Sequence, residues 1–106
     1  RARAEIDGHI YQAALNDLAT AIGKDPKNTL YYCEKASLEI RVNLFDDAIK
    51  TAGQCIAVDP KLGEGYMFLG LAQCLKGDKA TGRQNLQKAK DLGDTQAQEL
   101  IDKYAN

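Results

Sequence analysis

Apolar residues fall at helical spacing along nearly the whole chain, and nowhere do they alternate as a half-buried strand would require. Over residues 10–24, Tyr11, Ala14, Leu15, Leu18, Ala21 and Ile22 share one face. Over 45–58 the set is Phe45, Ala48, Ile49, Ala52, Cys55 and Ile56. Near the end, Ala97, Leu100, Ile101 and Tyr104 stand at i, i+3, i+4 and i+7, while Asp94, Gln96, Asp102 and Lys103 keep the other side polar. Breakers divide these runs. Pro26 and Pro60 each disfavour helix in the residue before them. Asn28 is placed to cap a helix over 29–42, and a short turn at Asn43-Leu44 leads to the helix over 45–58. Gly77-Asp78 separates a helix over 62–76 from one over 79–92. Thr95, with Gln98 three residues on, forms the signature of a capping box for a last helix. Residues 1–8 read as the end of an earlier helix, stopped near Gly8-His9. The pattern predicts seven helices, no strands and no long linker.

These helices repeat at an interval of 34 residues. Asp25-Pro26 returns as Asp59-Pro60, Tyr32 as Tyr66, Ala36 as Gly70, Ala14 as Ala48 and Tyr11 as Phe45, while Ala21, Cys55 and Ala89 form a triple. Such a period marks a solenoid, in which each unit buries its apolar face by stacking on the next. Two helices per repeat, closed by Asp-Pro, resemble the tetratricopeptide repeat, whose pattern is W-x-x-L-G-x-x-Y, then A-x-x-x-F, then P. Tyr66-Met67-Phe68-Leu69-Gly70 matches the first block with Tyr66 for Trp, and Gln73 departs from its Tyr. Tyr32 and Ala36 match in the preceding repeat, where Lys35 and Glu39 replace apolar positions. Ala14 with Leu18, Ala48 with Ala52, and Gly82 with Leu86 stand for the second block. Pro26 and Pro60 supply the closing proline, which Asp94 replaces before the last helix.

The resemblance implies an all-α, right-handed αα superhelix (a solenoid) of about 2.5 tetratricopeptide-like hairpins plus a C-terminal capping helix. It implies one domain: a partial repeat 1–28, repeats 29–62 and 63–94, and the capping helix 95–105. Small residues at Ala36, Gly70, Ala14, Ala48 and Gly82 would let paired helices approach closely. Gly82, costing roughly 1 kcal/mol in a helix relative to alanine, predicts close packing and a weaker third repeat. Lys35 and Glu39, four apart, form a pair on one helix face, and Arg1 and Glu5 hold the equivalent places one repeat earlier.

In that family the first helix of each repeat lines a concave face. The matching positions imply a peptide-binding groove of Leu30, Cys33, Ser37 and Arg41, continued by Glu64, Met67, Leu71 and Cys74, with Arg3 and Ile6 from the truncated repeat. Chaperone-binding relatives hold a peptide's terminal carboxylate with Lys, Arg and Asn at such positions. Here Ser37, Met67 and Leu71 stand there, and without cationic donors a carboxylate is not held in bidentate fashion. The implied groove is mainly apolar and suits an apolar side chain or an amphipathic helix. Leu71→Arg is expected to abolish capture while leaving helicity intact.

Composition narrows the function further. The chain has 106 residues, 44% hydrophobic and 27% charged, with a formal net charge of −1, within the range of one globular domain. Such a balance lacks the basic footprint of a nucleic-acid binder, and Lys76, Lys79, Arg83 and Lys90 read as a solvated helix face. No apolar run approaches the roughly 20 residues a membrane span needs. Cys33, Cys55 and Cys74 are odd in number, no CxxC occurs and His9 is the sole histidine, so neither a zinc site nor a disulfide framework is indicated. The free thiols favour a reducing, cytoplasmic setting. An exported or envelope location stays open should sequence upstream carry a signal, since Arg1 falls inside a repeat. No catalytic constellation and no cofactor motif emerge. Gly63-Glu64-Gly65 lacks the Lys-Ser/Thr of a phosphate loop, and Asp46-Asp47 suit a helix start. The expectation is a non-enzymatic module for protein–protein interaction. Homo-oligomerisation through an open N-terminal edge and an accessory substrate-positioning role in a larger protein are the alternatives. The Leu92-Gly93-Asp94 turn into a Gln-rich end suggests a bacterial sequence.

Overall fold

In the computed structural model, residues 2–105 are described, with side chains from residue 10 to residue 105. The side chains of Arg1, Arg3, Glu5, Ile6 and His9 lie outside that range. The helices are α1 (Ala2–Lys24), α2 (Thr29–Arg41), α3 (Phe45–Val58), α4 (Gly63–Lys76), α5 (Lys79–Asp91) and α6 (Ala97–Leu100), and α6 widens into a π-helical turn over Ile101–Ala105. No strand occurs among the described residues.

The helix starts and stops follow from local chemistry. Asn28 accepts a hydrogen bond from the Leu30 N–H at 3.1 Å and so caps α2. Asp78 does the same for α5 through the Thr81 N–H. The turns that follow α2 and α4 place Asn43 at φ 65° and Gly77 at φ 117°, exactly one repeat apart in sequence. Glycine and asparagine are the residues that enter the left-handed region at least cost.

Two expectations change. Helix α1 is continuous through Gly8-His9, so the described residues form six helices where seven were expected. A glycine within a helix costs only about 1 kcal/mol, whereas ending the helix there would leave backbone donors and acceptors without partners. At the other end, the capping box at Thr95 does not form. Asp94 Oδ1 accepts from the Gln96 N–H at 2.8 Å, and this turn delays the helix to Ala97. Gln98 bonds Lys90 and Asp102 instead of reaching back.

Each helix packs on its successor, and α2 also touches α4 across the hairpin between them. The interior divides into two clusters. Tyr32, Cys33 and Cys55 form one, with Ile22, Val58 and Leu62 against it. Met67, Cys74, Leu86 and Ala89 form the other, closed by Ala97, Ile101 and Ala105 of the final helix. Phe68 packs on both. The closest approach lies between α4 and α5. A Cβ added at Gly70 would stand 2.6 Å from the Gly82 carbonyl oxygen, and one at Gly82 would stand 2.4 Å from Cys74 Sγ. The tight packing expected at Gly82 is present.

A polar tie recurs with the repeat. Thr51 Oγ1 donates to Glu39 Oε1 at 2.7 Å, and 34 residues on Asn85 Nδ2 donates to Gln73 Oε1 at 2.6 Å. Glu39 is buried, and its second oxygen takes the Lys35 ammonium at 3.1 Å. A buried carboxylate with both oxygens engaged meets the condition under which burying a charge is tolerable.

Candidate functional site

A hollow of about 390 Å³ lies between α2 and α4. Its α2 wall is one stripe along the helix: Leu30, Cys33, Glu34, Ser37, Leu38 and Arg41. This spacing of i, i+3, i+4, i+7, i+8 and i+11 is what one face of a helix presents. The α4 wall consists of Glu64 and Phe68, one turn apart. Packing of α2 on α4 sets the two walls side by side.

Leu30 stands at the rim with 64% of its surface exposed, the largest exposure of any large apolar residue among those described. Leu38 and Phe68 are half-buried and form the apolar floor. Glu34, Glu64 and Arg41 are exposed around it. Among the described residues, none of these three charges takes part in an ion pair or a side-chain hydrogen bond.

The expected groove set is divided by the structure. Leu30, Ser37, Arg41 and Glu64 come together around the hollow, and Cys33 lies beneath them, buried at 7% exposure in the core with Tyr32 and Cys55. Met67 and Cys74 do not: they are buried at 4% and 5% exposure, packed with Leu86 and Ala89 of α5 and with the final helix. Leu71 is half-buried and outside the hollow. The final helix lies over α4 as α4 lies over α2, so Met67, the repeat equivalent of Cys33, is covered. Glu34, Leu38 and Phe68 are the residues the sequence reading missed. Glu34 and Leu38 continue the Leu30 stripe at i+4 and i+8, a signal present in the spacing.

Beneath the hollow, Cys33 Sγ lies 3.9 Å from Cys55 Sγ. The hydrogen bond to Cys55, burial, and the negative charges of Glu64 and Glu34 push the Cys33 thiol well above its ordinary range. The same hydrogen bond, with Cys33, lowers Cys55 despite its burial. Burial raises Cys74. All three thiols are free. Among the described residues no three His, Cys, Asp or Glu side chains converge as a metal site would need, and no helix is long and apolar enough to cross a membrane.

No protein-family model matches the sequence. The small glutamine-rich tetratricopeptide repeat-containing protein 2 of Saccharomyces cerevisiae is 30% identical over 91 residues, which is 86% of this chain and 26% of that protein. The Arabidopsis OM64 TPR domain superposes with a TM-score of 0.83 at 20% identity, covering 96% of this chain and 86% of that one. The chain belongs to the tetratricopeptide-repeat family. The second TPR domain of human RPAP3, solved in complex with the HSP70 peptide SGPTIEEVD, likewise gives a TM-score of 0.83 at 20% identity, over 98% of this chain and 88% of that one. Likeness at that identity speaks for the fold of this TPR domain. The domain spans about a quarter of the yeast relative. The sequence relatives come from fungi and plants, so the bacterial character suggested by the Leu92-Gly93-Asp94 turn draws no support.

Proposed function

We propose that this TPR domain is a non-catalytic interaction module that holds a peptide or helix of another protein in the hollow between α2 and α4. The observation that carries this reading is Leu30. A leucine 64% exposed beside a concave apolar floor of Leu38 and Phe68 gains by burial against a partner. Peptide capture by relatives of the same fold supports it, since the human RPAP3 domain is solved with a bound peptide.

The hollow differs from a carboxylate clamp. Ser37 and Leu71 supply no positive charge, Met67 is buried, and among the described residues Arg41 is the one cation lining the hollow. One guanidinium in a hollow that also carries two glutamates does not build a pocket for an acidic tail. Self-assembly through the N-terminal edge and a substrate-positioning role gain nothing from the relatives found.

The test is a pull-down from lysate of the source organism with wild type and Leu30→Asp in parallel, read by mass spectrometry. Leu30→Asp replaces Leu71→Arg as the probe, because Leu71 is half-buried and a charge there would disturb the stack. Partners retained by wild type and lost by the variant are expected. Identical sets of retained proteins would remove the hollow from the function.

A further inference from the structure

The charges around the hollow are unequally placed. Glu34 sits one turn along α2 from Leu30, and Glu64 lies in the first turn of α4. Glu64 follows Leu30 by 34 residues, the repeat interval, and each is the second residue of its helix, so with α4 packed on α2 the two carboxylates lie at the same end of the hollow. Arg41 is seven residues beyond Glu34, about 10 Å along the helix axis. The hollow is therefore acidic at the Leu30 end and basic at the far end, with Leu38 and Phe68 between. Apolar walls exclude water and strengthen the field of charges that face a cleft.

We infer that the partner segment carries an apolar side chain flanked by lysine or arginine, the apolar group seated on Leu38 and Phe68 and the cation against Glu34 and Glu64. This rests on the groove reading above and names the chemistry of its occupant. A basic side chain suits the Leu30 rim because its methylene stem can lie on an exposed leucine while its head reaches a carboxylate. Glu34 and Glu64, unpaired within the described residues, lose no intramolecular partner when they engage it. Arg41 sets the direction of the segment by repelling the cationic end. An acidic tail laid in either direction would place a carboxylate against the two glutamates.

The test is selection from a display library of short random peptides, followed by fluorescence anisotropy of the enriched peptides. Wild type is compared with Leu30→Asp and with the double variant Glu34→Lys/Glu64→Lys. All of these side chains are exposed, and circular dichroism checks that each variant keeps its fold. Wild type is expected to enrich peptides in which an apolar residue neighbours Lys or Arg. Their affinity should fall about tenfold or more in the charge-reversed variant, and should weaken with added salt. Acidic peptides enriched by wild type would overturn the inference. So would affinity unchanged by charge reversal while Leu30→Asp abolishes it, which leaves the groove reading standing. Peptides indifferent to all three substitutions, or no enrichment at all, would overturn both.

Discussion

Gly82→Ala separates intrinsic helix preference from packing, and the structure fixes which should win. In an open helix, glycine to alanine stabilises by about 1 kcal/mol. At Gly82 the new methyl would stand 2.4 Å from Cys74 Sγ, 2.7 Å from the Gly70 carbonyl oxygen and 2.9 Å from the Cys74 nitrogen. Two of these three atoms belong to the α4 backbone, so no rotamer change relieves them. The helices must move apart along the most extensive helix contact in the fold. Overpacking of this kind costs about 1–3 kcal/mol, and rigid neighbours favour the upper end. Subtracting the helix gain leaves a net loss of about 2 kcal/mol, or roughly 8–16 °C in Tm for a domain of this size. Gly53 is the control. It lies in α3 with nothing within 4 Å of an added Cβ, so Gly53→Ala should raise stability by about 0.5–1 kcal/mol. Urea titration followed by far-UV circular dichroism measures both. A Gly82→Ala protein as stable as wild type, or more so, would refute the claimed contact between α4 and α5.

Three further outcomes follow from the interior. Thr51→Val keeps the side-chain shape but removes the donor to Glu39 Oε1, and should cost about 1–3 kcal/mol in urea titration because a buried carboxylate oxygen is left unmatched; no change would mean that Lys35 alone satisfies Glu39. Ile101→Ala, at a position 4% exposed in the final helix, should cost about 2–4 kcal/mol by the same assay. Cys74 is raised above its ordinary 9.0 by burial, with Lys79 opposing. Above about pH 9 the unfolded chain releases this proton while the folded chain retains it, so this contribution to stability falls as pH rises. Thermal melts between about pH 8 and pH 10 should show a steeper fall for wild type than for Cys74→Ala.

Helix order and most boundaries were legible because the breaking residues carry their own constraint. Pro26, Pro60, Asn28 and Gly77 act through φ or a single hydrogen bond, which sequence states directly. Gly8-His9 did not break α1, because a glycine permits a turn without requiring one. Thr95 offered a cap, but Asp94 competed for the same turn and won. The candidate site was less legible for another reason. Helical spacing tells which residues share a face and leaves open what covers that face. Met67 and Cys33 occupy equivalent register positions, and each is buried by the helix that follows it in the stack. Lys35–Glu39 was readable as an i, i+4 pair, whereas Thr51 as the third member needed α3 laid on α2. The recurrence of that tie as Gln73–Asn85 was in the sequence at the repeat interval.

Helix α2 shows why a recognition surface can vary on this fold without unmaking it. At about 100° of rotation per residue, Leu30, Glu34, Ser37, Leu38 and Arg41 occupy a sector roughly 100° wide. Tyr32, Ala36 and Glu39 point to the opposite side and are buried. On that side lie the fixed elements: the Tyr32 hydroxyl donates to the Pro26 carbonyl oxygen at 2.7 Å, Ala36 is fully buried, and Glu39 takes Thr51 and Lys35. Substituting an exposed residue away from such features usually shifts stability by no more than about 0.5 kcal/mol. Leu30→Asp and Glu34→Lys should therefore melt within a few degrees of wild type, whereas Ala36→Leu should unfold the α2–α3 hairpin by overpacking. If Leu30→Asp lowered Tm as far as a core substitution does, the Leu30 sector would belong to the stack, and the hollow would have to be assigned to packing.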